Sequence, residues 1–199
     1  MKHIYKKGNQ QTLILLHGTG GDEFDLIPLA ETLNPKASIL SIRGNILENG
    51  MPRYFKRLSI GVFDMESLKQ ETIYLQQFIQ EASSKYGFSL TDSTVIGYSN
   101  GANIAISMLF TFNHTVKRTI LLRPMVPTHD IQSSSLIKTQ VVIISGKYDT
   151  IVPKNHPQLL NQYFNQLGAD TQVFEIEASH GLTPMDMEIM KSILKNEQN

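Results

Sequence analysis

The sequence predicts an α/β architecture, a mostly parallel central sheet with helices on both faces. Three observations carry that prediction. Short apolar runs alternate with longer stretches of helical period, glycine-rich turns punctuate them, and the residues able to do chemistry gather just after the runs. With 199 residues, 41% of them hydrophobic, the chain is expected to form one domain over 1–199 with a sizeable core.

Six runs read as buried strands: Leu13 to Leu16, Ala37 to Ile42, Thr94 to Ile96, Thr119 to Leu122, Val141 to Ile144 and Val173 to Ile176. Each is short and largely apolar, as strands covered from two sides are. Helix candidates lie between and after them, at Phe24 to Leu33, Ser67 to Lys85, Gly101 to Phe112, His156 to Leu167 and Pro184 to Leu194. In the second, Leu68, Leu75, Phe78, Ile79 and Ala82 recur near helical spacing, with charged or amide residues between them. Met1 to Gln11 reads as a polar tail. Gly44 to Gly61 is the longest stretch without clear periodicity, which in a compact domain marks a functional or a disordered loop.

Eighteen basic residues balance eighteen acidic ones, and no long run of one sign occurs. That gives no electrostatic footing for nucleic acid or an anionic membrane, so a small molecule is the expected partner. The chain has no cysteine, which excludes disulfides, thiolate metal sites and a cysteine nucleophile. The first apolar run is too short for a spanning helix or a signal-peptide core, so membrane insertion is not expected and the cytoplasm is the default location.

In parallel sheets ligands bind beyond the carboxyl ends of the strands. Gly97-Tyr98-Ser99-Asn100-Gly101 stands at such an end and fits G-x-S-x-G, the turn that lifts a serine above the sheet. Composition alone would produce the pattern in roughly 0.07 of chains this long, so the flanking strand and helix carry the assignment. A serine needs a base, and the base an orienting carboxylate. Asp149 follows the Val141 to Ile144 run and His180 follows the last one, in the order Ser, Asp, His that the α/β-hydrolase fold uses. Asp149 also suits a turn or helix N-cap. His3, His114, His129 and His156 read as solvated, and His17 as a packing residue under a glycine-rich loop.

Acyl transfer also needs donors for the oxygen that becomes negative. The N–H of Asn100 at a helix start and that of Thr19 in His17-Gly18-Thr19-Gly20-Gly21 are the candidates. The same glycines lack both the P-loop ending and the dinucleotide spacing, which argues against a nucleotide site. In the Gly44 to Gly61 loop, Met51, Arg53, Tyr54 and Phe55 are candidate substrate contacts, with Arg57 beside them. The arginines either bind a carboxylate or quinone-like ring, or pair with surface acids. Met125 and Leu182 either line the acyl side or fill the core.

Leu16 to Glu23, Gly97 to Asn103, Gly146 to Asp149 with Val152-Pro153, and Ser179-His180-Gly181 together resemble the bacterial carboxylesterase/phospholipase family, which includes acyl-protein thioesterases and lysophospholipases. Arg43-Gly44 and Glu48 to Arg57 resemble more closely a branch of small hydrolases of Gram-positive bacteria associated with quinone and hydroquinone stress. The resemblance implies an α/β-hydrolase fold with little or no cap domain, a Ser99–Asp149–His180 triad, an oxyanion hole from Thr19 and Asn100, and no metal or organic cofactor. Thioesterase and lysophospholipase members usually have Gln where this chain has Asn100, and a Trp-containing loop absent here. The expected activity is therefore cleavage of small carboxylic esters. The rivals are a thioesterase or lysophospholipase acting on longer acyl chains, and a non-catalytic ligand-binding member of the fold. Assembly into a homodimer is left open.

Overall fold

The computed structural model describes residues 1–113, 115–133 and 135–195; the reading of His114 lies outside them. In chain order the elements are β1 (His3–Lys6), β2 (Thr12–Leu16), α1 (Ile27–Leu33), β3 (Ser38–Ile42), β4 (Ile46–Glu48), β5 (Met51–Arg53), β6 (Arg57–Ser59), β7 (Val62–Phe63), α2 (Met65–Tyr86), β8 (Thr94–Tyr98), α3 (Asn100–Thr111), β9 (Arg118–Leu122), β10 (Gln140–Gly146), α4 (His156–Gln166), β11 (Asp170–Ile176) and α5 (Pro184–Lys195). The main sheet has the order β1-β3-β2-β8-β9-β10-β11. All its pairings are parallel except that of β1 with β3.

Each central strand sends alternate side chains to opposite faces, as the period of two requires. Ile14 and Leu16 join a core with α2, α3 and α4, including Leu75, Ile79, Ile106, Phe110, Leu160 and Phe164. Leu13 and Leu15 join a second core with Ile27 and Ala30 of α1 and Met190 and Ile193 of α5. The chain therefore has the three-layer α/β-hydrolase arrangement expected from the alternation of runs and helical stretches. None of the helices among the described residues is long and apolar enough to cross a membrane.

The polar tail needs correcting. Residues 3–6 form an edge strand antiparallel to β3, with Ile4 packed on one core and Tyr5 on the other. An edge strand tolerates polar residues because half its surroundings are solvent, so its hydrophobic signal is weak. His3 is not a solvated tail residue either: its Nε2 lies 2.8 Å from the Tyr86 hydroxyl. Gly44 to Gly61 also contains structure, namely the β4–β5 hairpin and the strand β6 that pairs with β7. Asn49 and Gly50 both have positive φ, 51° and 80°, at the tip of the first hairpin. Asn-Gly is the sequence signal for that turn, and it stands in the chain.

Candidate active site

Ser99 sits between the end of β8 and the start of α3 with φ 51° and ψ −110°, a conformation that a non-glycine residue holds only when its surroundings impose it. The two motif glycines allow the turn by absence. A Cβ at Gly97 would overlap the Gly101 carbonyl and the Ala102 backbone, and one at Gly101 would overlap the carbonyl oxygens of Leu16 and His17. The Ser99 N–H donates to the Leu122 carbonyl at 2.8 Å, fixing the elbow to the neighbouring strand.

Three side chains from separate loops meet here. His180 Nε2 lies 2.9 Å from Ser99 Oγ, and His180 Nδ1 lies 2.7 Å from Asp149 Oδ2. An ionised carboxylate only accepts, so Nδ1 carries the proton and Nε2 is left to accept from the serine hydroxyl. The Asp149 side chain is 3% exposed and that of His180 21%, so the carboxylate is shielded while the imidazole faces the opening. Asp149 satisfies its competing reading as well, because its Oδ1 accepts the N–H groups of Ile151 and Val152 at 2.8 and 3.1 Å. One oxygen holds its own turn and the other points at the histidine.

Sequence reasoning missed the residues that hold the His180 loop. Arg123, at the end of β9 with φ 54°, donates from Nε to the Ser179 carbonyl and from Nη2 to the Gly181 carbonyl, both at 2.9 Å. It therefore grips the backbone on both sides of His180. Its guanidinium makes a two-pronged pair with Asp186 at 2.8 and 3.0 Å, wholly inside the protein. Asp186 also accepts the N–H and hydroxyl of Thr183 at 2.7 and 2.8 Å. Thr183-Pro184-Met185-Asp186 has the form of a helix-start box, a signal present in the sequence. The Tyr98 hydroxyl adds a bond to the His180 carbonyl at 3.1 Å.

Beside Ser99, the glycine-rich loop after β2 turns on a bond from the Gly21 N–H to the Gly18 carbonyl. The Gly20 N–H donates to the Pro52 carbonyl, while the Thr19 N–H takes no backbone acceptor among the described residues. Asn100 heads α3, where the first N–H groups have no partner within the helix. His17 packs under the loop: its Nδ1 faces the Gly18 carbonyl at 2.6 Å and its Nε2 accepts the Gly44 N–H at 3.1 Å. Nε2, as an acceptor, carries no proton, and burial pushes the pKa of the ring below its ordinary value.

The expected substrate contacts separate into groups. Tyr54 and Phe55 are corrected, since both are fully buried in the α2–α4 core. The Tyr54 hydroxyl donates to the Ile42 carbonyl at 2.6 Å and accepts the His17 N–H at 3.1 Å. Arg53 is corrected as well: it is 2% exposed, turned inward, and donates to Thr19 Oγ1 at 2.8 Å. Arg57 pairs with Glu48 at 2.8 Å. Aromatic and arginine content looked like a surface feature because nothing local records what packs opposite. Leu182 is half-buried against the α1–α5 core, and Met125 is buried with its N–H donating to Asn103 Oδ1 at 2.8 Å. Met51 stays exposed at the loop, its sulfur within contact range of where a Gly20 side chain would begin. A cleft of ≈ 400 Å³ beside α2 and α3, lined by Leu68, Ile73, Ser107 and Phe112 among others, includes none of the three converging side chains. Among the described residues, no group of three or more His, Cys, Asp or Glu side chains is placed to hold a metal ion.

The geometry can be set beside known proteins. The Phospholipase/Carboxylesterase family model matches residues 4–197. MhqD of Bacillus subtilis (strain 168) is 44% identical over 189 residues, which cover 94% of each chain. The crystal structure of the Bacillus cereus carboxylesterase superposes with a TM-score of 0.95 at 41% identity, covering 98% of this chain and 94% of that one. A carboxylesterase from Mesorhizobium loti gives 0.90 at 31% identity, with 95% and 90% covered. The chain belongs to the phospholipase/carboxylesterase family and is an ester hydrolase of the α/β-hydrolase fold.

Proposed function

We propose that the chain cleaves small carboxylic esters through an acyl-enzyme on Ser99, with His180 as the proton carrier and Asp149 orienting it. The observation that carries this reading is the unbroken relay from Asp149 to His180 to Ser99, with separations of 2.7 and 2.9 Å. His180 Nε2 takes the hydroxyl proton as Ser99 Oγ attacks the ester carbonyl. The carbonyl oxygen becomes negative and is met by the N–H groups of Thr19 and Asn100. Collapse expels the alcohol, which receives the proton from His180. Water then attacks the acyl-enzyme with His180 again as base, and the acid departs with the serine restored.

Short esters are favoured over long acyl chains. Tyr54 and Phe55, which could have gripped a chain, are sealed in the core, and the cleft beside α2 and α3 has no triad residue in its lining. The test is twofold. A fluorophosphonate probe is expected to label Ser99, and Ser99→Ala to lower kcat about 10⁶-fold on p-nitrophenyl acetate. A loss below tenfold refutes the nucleophile. Faster turnover of palmitoyl thioesters or lysophospholipids than of short esters refutes the substrate class.

A further inference from the structure

The two oxyanion donors come from elements far apart in the chain, Thr19 in the loop after β2 and Asn100 at the head of α3. Such donors work only if their spacing is set before the charge develops. Three consecutive residues touch both sides. The Pro52 carbonyl accepts the Gly20 N–H at 3.0 Å, Arg53 Nη1 donates to Thr19 Oγ1 at 2.8 Å, and the Tyr54 N–H donates to Asn100 Oδ1 at 2.7 Å. The Tyr54 hydroxyl also holds the His17 N–H, so the glycine-rich loop is tied down at both ends. The Asn100 amide nitrogen is buried without a hydrogen-bond partner among the described residues, which leaves the bond to Tyr54 as what fixes that side chain.

The holding segment is itself held by further contacts. Arg53 donates from Nε to the Phe55 carbonyl at 3.3 Å and lies 3.5 Å from Glu48. Gly44 has no side chain because the Arg53 carbonyl occupies that space. Arg53 and Arg57 flank the single carboxylate of Glu48, so this cluster keeps a net positive charge behind the loop that offers the Thr19 N–H.

We propose that residues 52–54 preset the spacing of the two oxyanion donors, with Arg53 as the positioning residue for Thr19. This inference rests on the proposed reading of Ser99 as nucleophile and of the two N–H groups as donors. Arg53 never touches substrate; it acts through the Thr19 hydroxyl.

The experiment compares Arg53→Met, Thr19→Val, Thr19→Ser and the Arg53→Met/Thr19→Val double variant on p-nitrophenyl acetate. Each is also assayed for inhibition by phenylboronic acid, which forms a tetrahedral adduct, and for urea unfolding. Arg53→Met and Thr19→Val are each expected to lower kcat about ten- to a hundredfold, a part of what losing a whole donor costs. KM should stay within about twofold, the boronate Ki should rise in step with the loss in kcat/KM, and Thr19→Ser, which keeps the hydroxyl, should lose clearly less activity than Thr19→Val. The double variant should be no worse than the more damaged single one. If Arg53→Met fails to fold, the Thr19 pair decides. A rise in KM with unchanged kcat would mean direct substrate binding and overturns the inference, as does unchanged kcat in folded Thr19→Val, or equal damage from Thr19→Ser and Thr19→Val. Inactive Ser99→Ala beside fully active Thr19→Val sinks only the positioning role, whereas an active Ser99→Ala sinks the reading beneath it.

Discussion

Replacing Asp186 by Asn tests whether the His180 loop depends on a buried charge far from the reacting atoms. The side chains of Arg123 and Asp186 are 0% and 1% exposed, so solvent does not screen the pair. Asp186 receives four bonds: two from the guanidinium, one from the Thr183 N–H and one from its hydroxyl. Asn keeps the shape but turns one acceptor into a donor that faces another donor, and leaves the guanidinium without a counter-charge. Breaking a buried pair on one side costs about 3–5 kcal/mol. At roughly 2–4 °C per kcal/mol for a chain of this size, Tm should fall by about 10 °C. The guanidinium also holds the carbonyls on either side of His180 at 2.9 Å, so loosening it should shift the imidazole. A displacement of about 1 Å can lower kcat about a hundredfold. Urea unfolding followed by circular dichroism gives the first quantity, and ester hydrolysis well below Tm gives the second. A stability loss under about 1 kcal/mol would refute the buried-pair reasoning, whatever happens to activity.

Two further outcomes are expected of the triad carboxylate and of a buried acid on α2. Asp149→Asn should lower kcat about 10⁴-fold with little change in fold, because an amide in place of Oδ2 can favour the wrong imidazole tautomer; a loss under about tenfold would show that the carboxylate only holds its turn. Burial of Glu71 raises its pKa, partly offset by the bond from Asn45, so folding favours the protonated acid relative to the unfolded chain. The stability tied to that preference is present below the unfolded value of 4.5 and is lost as pH rises through the higher folded one. Glu71→Gln, which mimics the protonated form, should therefore raise the urea midpoint at pH 8 and leave it unchanged at pH 4. Equal midpoints at pH 8 would contradict the burial argument.

Much of the fold was legible because its signals are local. A strand covered on both sides must be largely apolar, and the runs from Leu13 to Ile144 show it, whereas the last run, at the β11 edge, carries the exposed Glu175; a helix over a sheet must repeat its apolar residues near every fourth position, as α2 does. The edge strand β1 is hidden because solvent on one side removes that demand, whereas Asn49-Gly50 is a local signal of the β4–β5 hairpin within a stretch that lacks periodicity. For the site, the sequence could place a serine, an aspartate and a histidine on loops at the same end of the sheet.

By itself, then, the order of residues determined the layers, the strand ends and the glycine-flanked turn at Ser99, since those follow from periodicity and from the space a side chain needs. Only the tertiary structure decided that Tyr54 and Phe55 lie inside, that Arg53 faces Thr19, and that Arg123 reaches Asp186 across the fold. The reason is that burial and pairing of an amphipathic or charged side chain depend on what stands opposite it, and the chain supplies that partner from tens of residues away.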